Sequence, residues 1–176
     1  MKKHGILNKQ LMTAIADMGH EEYIVIGDAG VPIRKPEQRV DLAVAEDLPT
    51  IAQVLDLVMD ELIFEEIIVA EEQKQFNPVH FSNVENMTKK RYETMEVTTM
   101  PHYDMFAEYL PQAKYIVRTG DLMPWGNVIL KAGIDAKKWF QKPGCITPYF
   151  YAERASYDNE YGEYHQGFQG MSLWNI

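Results

Sequence analysis

Cysteine is nearly absent: Cys145 is the single one in 176 residues. That excludes an intramolecular disulfide and leaves a thiolate zinc site without partners, which suits a reducing cytoplasm. Basic residues are also scarce. Lys and Arg number 17 against 26 Asp and Glu, a formal net charge of -9. A surface of that sign repels phosphate backbones and anionic lipid, so neither nucleic acid nor a membrane is an expected partner. No run approaches the ~20 apolar residues of a membrane span. Lys2 and Lys3 imitate the start of a signal peptide, but Asn8, Lys9 and Gln10 break the apolar stretch that should follow. The expectation is a cytoplasmic protein. Also missing are a Walker A loop, G-x-G-x-x-G, H-E-x-x-H, C-x-x-C and the G-x-S-x-G elbow. The five histidines, His4, His20, His80, His102 and His165, show no metal-ligand spacing. What remains is a reaction without metal or cofactor, or no reaction.

What is present reads as alternating helix and strand. Asn8 caps a helix over about residues 9–18, with Leu11, Ile15 and Met18 on one face and Gly19 as a stop. Tyr23-Ile24-Val25-Ile26 is a short, wholly apolar run, as in a buried strand of a parallel sheet. A loop through Gly27, Asp28, Gly30 and Pro32 follows, then alternation from Arg39 to Val44 that suggests a second strand. Pro49 opens a helix with Ile51, Val54, Leu55, Val58 and Leu62 on one side. Further strands are expected at residues 67–70, 96–99, 114–118 and 128–130. Helices are expected from Asn77-Pro78 to about Tyr92 and from Pro101 to Tyr109. The alternation predicts an α/β layered fold with a mostly parallel central sheet flanked by helices.

The pattern changes after Asp135. Residues 136–176 hold half of the chain's Trp, Tyr and Phe, yet sustain no period of 2 or 3.6 and are broken by Gly and Pro. Disordered tails are poor in aromatics, so this stretch reads as an arm that packs on something. Two placements are open: across a neighbouring subunit, walling its pocket, or over its own subunit's apolar face. The expected organisation is a domain at 1–135 and an arm at 136–176.

Candidate chemistry centres on a few residues. In open α/β sheets ligands gather outside the carboxyl ends of strands, which is where Asp28 falls. The plainer role for Asp28 is to form its own turn. His20 precedes the same strand at its other end. It either titrates in a site or caps the preceding helix through the dipole. If His20 and Asp28 serve one site, the loops fold back or a neighbouring subunit contributes. Trp125-Gly126-Asn127 offers a flat face, close backbone approach and a paired donor and acceptor, which suits a sugar; ordinary loop chemistry gives the same trio.

Together these residues resemble the D-ribose pyranases and, in the same superfamily, the L-fucose mutarotases. The resemblance is carried by Met18-Gly19-His20, Gly27-Asp28-Ala29-Gly30-Val31-Pro32-Ile33 and Arg39-Val40-Asp41-Leu42-Ala43. Ala70-Glu71-Glu72, Asn77-Pro78, Val117-Arg118-Thr119-Gly120-Asp121 and Trp125-Gly126-Asn127-Val128-Ile129-Leu130 extend it over about residues 1–135. The resemblance implies a ribose-pyranase-like fold and cofactor-free interconversion of the cyclic forms of a free monosaccharide, ribose first. It also implies a homo-oligomeric ring, a pentamer-based decamer, with sites near subunit contacts. The catalytic histidine falls on His20 and the sugar-binding aspartate on Asp28. The Tyr-Ala-Asn or Tyr-Gly-Asn segment falls on Trp125, Gly126 and Asn127, with Trp replacing Tyr. A further binding position falls on Tyr103, with His102 one residue away. A non-catalytic sugar-binding accessory of a transport or utilisation system would need Asp28 and Asn127 but not a titrating His20.

Overall fold

The computed structural model describes residues 2–157. The first helix, α1 (Lys9–Asp17), starts where Asn8 accepts a hydrogen bond from the Leu11 N–H at 3.0 Å. It ends at Met18, one residue before the expected glycine. The strand β1 (Tyr23–Gly27) is followed by a short 3-10 turn and β2 (Arg39–Asp41). β2 is shorter than its alternation suggests: Ala43 to Thr50 turn back on themselves, and Val44 is 78% exposed. The next helix, α2 (Ile51–Glu61), begins after Pro49 rather than at it. Thr50 and Gln53 form a reciprocal capping box, with bonds of 3.2 and 2.9 Å.

Next come β3 (Phe64–Ala70), α3 (Glu71–Phe76), α4 (Pro78–Arg91) and β4 (Thr98–Met100), then α5 (His102–Tyr109), β5 (Tyr115–Arg118), β6 (Val128–Ala132) and α6 (Ala136–Phe140). α3 was not foreseen; its six residues are mostly polar and too few to show a period.

The six strands form one sheet in the order β2-β5-β1-β6-β3-β4. β6 runs antiparallel to both β1 and β3, and the other pairings are parallel. The sheet is therefore mostly parallel, as expected, with its one reversed strand near the centre. Alternating side chains leave both faces apolar. Ile24, Ile26, Ile67, Val69, Val117 and Leu130 pack under α1, α2 and α4. Val25, Ile68, Ile116 and Ile129 face the other way, against Met105 of α5, Leu110 and Val31. Helices flank both faces, so loops at the two strand ends remain to carry function.

The described part of the arm turns back onto its own chain. Tyr157 stacks on Tyr92 with ring centroids 4.9 Å apart, and Tyr92 meets Phe64 edge-on at 4.9 Å. Thr94 donates to Glu153 at 2.6 Å, and Arg154 reaches Glu65. Tyr149, Phe150 and Trp139 stay largely exposed. The expectation that the arm crosses a neighbouring subunit rests partly on residues 158–176, which lie outside the described residues. No described helix is long and apolar enough to cross a membrane.

Candidate functional site

Strand direction sorts the sequence candidates into two groups. The carboxyl ends of β1, β3, β4 and β5 share one edge of the sheet with the start of reversed β6. Asp28, His102, Tyr103, Trp125, Gly126 and Asn127 therefore lie along that edge. His20 precedes β1 and lies at the opposite edge. β1 alone has five residues, which at ~3.3 Å per residue separates the two ends by about 16 Å.

At the carboxyl edge, Asp28 and Asn127 interlock. The Asp28 N–H donates to Asn127 Oδ1 at 3.0 Å, and Asn127 Nδ2 donates to Asp28 Oδ2 at 2.8 Å. The Gly30 N–H donates to Asp28 Oδ1 at 2.8 Å. Asp28 thus does make the turn-forming bond that the plainer reading assigns to it. It is also held as a half-buried carboxylate against a buried amide. Gly27 permits this close approach: a Cβ there would lie 2.9 Å from Asn127 Oδ1 and 2.7 Å from Val31 Cβ.

The loop before β6 is pinned through its carbonyls. Asn77 Nδ2 donates to the Pro124 oxygen at 3.1 Å, Gln73 Nε2 to the Trp125 oxygen at 2.8 Å, and His80 Nε2 to the Gly126 oxygen at 3.1 Å. Trp125 takes a φ of +52° and rests its half-buried ring against Phe76 at 5.2 Å. A Cβ on Gly126 would lie 2.9 Å from Ile51 Cδ1 and 3.0 Å from the Met123 oxygen, so the loop sits this close to α2 only because glycine has no side chain. Gln73 gives no sign in the sequence, Asn77 marks only a helix start there and His80 only one of five histidines, because polar residues on or beside helical segments carry no local signal for carbonyls about 50 residues away.

His102 opens α5, two strands beyond β6. Its N–H donates to Glu72 Oε2 at 2.9 Å, and its half-buried ring lies 4.2 Å from that of Phe106. Tyr103 is 81% exposed and projects from the surface. Beside the Asp28 loop an open hollow of about 400 Å³ is lined by Ala29, Ala45, Glu46, Arg118 and Gly120. Asp28 and Asn127 are not among its walls.

At the other edge the His20 ring meets a carboxylate. Its Nε2 lies 3.1 Å from Glu65 Oε2. Glu65 also meets Lys131 at 3.0 Å and Arg154 at 2.6 Å. Burial alone would raise the Glu65 pKa, but hydrogen bonds from Lys131 and His20 and the charge of Arg154 bring it below the ordinary carboxylate value. Ligand atoms of His20, Glu21 and Glu65 fall within 4.8 Å of one another. A metal ion there would have to displace both cations from Glu65.

The profile of the RbsD / FucU transport protein family matches residues 1–135. A D-ribose pyranase 2 of Rubrobacter xylanophilus is 41% identical over 155 residues, 88% of this chain and 98% of that protein. A D-ribose pyranase of Geobacillus thermodenitrificans is 42% identical over 135 residues, 77% of this chain and 98% of that protein. Among solved structures, Bacillus subtilis RbsD complexed with D-ribose superposes with a TM-score of 0.68 at 35% identity. It covers 76% of this chain and 98% of that one.

Proposed function

The chain belongs to the RbsD / FucU transport protein family, and from that premise we propose that it interconverts the pyranose and furanose forms of D-ribose without a cofactor. It is an isomerase of the D-ribose pyranase type. The observation that carries the reading is the interlocked Asp28–Asn127 pair beside Trp125. It presents a carboxylate to sugar hydroxyls and an aromatic face to a sugar ring, on a fold shared with a D-ribose complex.

The chemistry needs only protons moved. The anomeric hydroxyl loses a proton, the ring oxygen gains one, and the C1–O5 bond breaks to give the open aldehyde. The O4 hydroxyl then attacks C1, losing its proton as the carbonyl oxygen gains one, and a furanose results. Histidine gives and takes protons near neutral pH, so His20 carries them. Asp28 and Asn127 hold hydroxyls, Trp125 supports the ring, and His102 and Tyr103 border the same edge. His20 lies at the far edge of its own sheet, so it serves the Asp28 edge of a neighbouring copy. The functional unit is then a homo-oligomer, read as a decamer built from pentameric rings. Residues 1–135 make the catalytic domain and 136–176 an added arm.

Magnetisation-exchange NMR on D-ribose, with and without protein, tests the activity. Faster pyranose–furanose exchange is expected, and a panel of pentoses and hexoses ranks the substrates. Ribose binding with no change in exchange would replace the isomerase by a sugar-binding accessory.

A further inference from the structure

Glu65 is placed with unusual care. The β3–β6 register shifts between Phe64 and Glu66, which leaves Glu65 as the extra residue of a bulge. Bulges re-aim a side chain out of the ladder. Here the carboxylate is carried to the sheet edge, where only 5% of its side-chain surface stays exposed. Gly133 makes room for it: a Cβ there would lie 3.1 Å from Glu65 Cβ. Three side chains from three parts of the chain converge on this group. They are His20 before β1, Lys131 of β6 and Arg154 of the arm.

We propose that Glu65 is the positioning residue for His20, and that Arg154 sets the strength of its hold, making the arm part of the proton-transfer apparatus. The proposal rests on the reading of His20 as the proton carrier. Lys and Arg side chains only donate. With both on Glu65, the carboxylate stays ionised and accepts from each neighbour. The contact to His20 is then an Nε2–H donating to Oε2, which fixes the tautomer. Nδ1 is left with its lone pair and is the atom that takes the sugar's proton. His20 keeps a third of its side-chain surface exposed, 33%, and so remains reachable. Arg154 shares Oε2 with His20, so it withdraws charge from the bond that holds the imidazole.

The charged groups around His20 are Glu65 on β3, Glu21 on its own turn, Lys131 on β6 and Arg154 on the arm. Lys131 also pairs with Glu21 at 3.4 Å. Removing the Glu65 charge disfavours imidazolium, so the acidic limb of the pH–rate profile moves to lower pH. Removing the Arg154 charge does the reverse. Opposite shifts from two neighbouring substitutions separate an electrostatic role from loss of packing.

The experiment measures ribose exchange by NMR for the full chain, His20→Ala, Glu65→Gln, Arg154→Met and Arg154→Lys across pH. His20 ring nitrogens are read by 15N shifts with and without sugar. Glu65→Gln is expected to lower kcat at least about 10-fold, part of the ~10²–10⁴ that a general acid–base group supplies. Its KM should change less than about twofold, its acidic limb should move to lower pH, and its Nε2–H tautomer should lose dominance. Arg154→Met should move the limb to higher pH and Arg154→Lys should restore it. If wild type is active, His20→Ala inactive, and both Glu65→Gln and Arg154→Met keep the parental profile and 15N shifts, the positioning role is wrong. If His20→Ala keeps the parental rate, the error lies in the reading of His20, and the proposal falls with it. Should Glu65→Gln fail to fold, the variants of half-buried Arg154 decide. Should the wild type leave exchange unchanged, the sugar-free 15N tautomer still decides whether Glu65 holds His20.

Discussion

Asp28 joins two roles in one carboxylate. One oxygen accepts from Gly30 and closes the turn; the other accepts from Asn127 and faces the edge where a sugar would bind. Asp28→Ala should weaken ribose binding by roughly 1.5–3 kcal/mol, the worth of a hydrogen bond to a charged group, as calorimetry would show. Unchanged affinity would place Asp28 outside the pocket. His20→Ala should lose nearly all acceleration with its melting curve intact. Asp28 and Asn127 were legible because each sits beside a glycine in a turn next to an apolar strand. Glu65 was not, since its partner in sequence is 45 residues away. The one hint was a pair of acids, Glu65 and Glu66, inside an otherwise apolar run. Acid should expose Glu65 thermodynamically. Its folded pKa lies below the unfolded value, so its contribution to stability is present above about pH 4.3 and is lost as pH falls through the folded value. Glu65→Gln should therefore lose less stability than wild type between neutral pH and pH ~3 in urea titrations.

The elements follow from local rules wherever a run is long or apolar. α2 has a capping box and a five-residue buried face, Ile51, Val54, Leu55, Val58 and Met59. Thr50→Ala should cost about 1 kcal/mol by urea unfolding, since one orphan N–H loses its acceptor. β1, β3 and β5 are readable as short apolar runs, and α4 and α5 from the prolines at their starts. The short polar α3 was not, although Gln73 on it is wholly buried and holds the Trp125 carbonyl. The reversed direction of β6 was also hidden. Its residues read as any buried strand, and a strand's sense is set by its neighbours, which periodicity does not name. Gly126→Ala tests the element level directly. The added Cβ meets Ile51 and Met123 at 2.9 and 3.0 Å, so the loop must shift. Ribose affinity should drop while α2 and the sheet persist by circular dichroism.

At the scale of the molecule, the two groups of candidate residues occupy opposite edges of one sheet. On the proposed reading, a single copy then contributes half of a site at each end. The sequence placed His20 and Asp28 on either side of one strand, and that spacing already required a fold-back or a second copy. The structure shows no fold-back among the described residues: the His20 ring is held by Glu65, away from Asp28. The arm belongs to this scale too, because Arg154 and Tyr157 tie it to Glu65 and Tyr92. Tyr157→Ala should lower stability by about 0.5–1.5 kcal/mol beyond its lost area, the worth of an aromatic pair. The measurement that bears most directly on a site shared between copies mixes two variants, at a ribose concentration too low for Asp28→Ala to bind. His20→Ala and Asp28→Ala are dissociated, combined one to one, reassembled, and assayed for ribose exchange by NMR. A random ring pairs an intact His20 with an intact Asp28 at about one contact in four, so roughly a quarter of the wild-type rate should return. If wild type recovers after the same treatment but the mixture stays as inactive as each variant alone, the site is not shared between subunits.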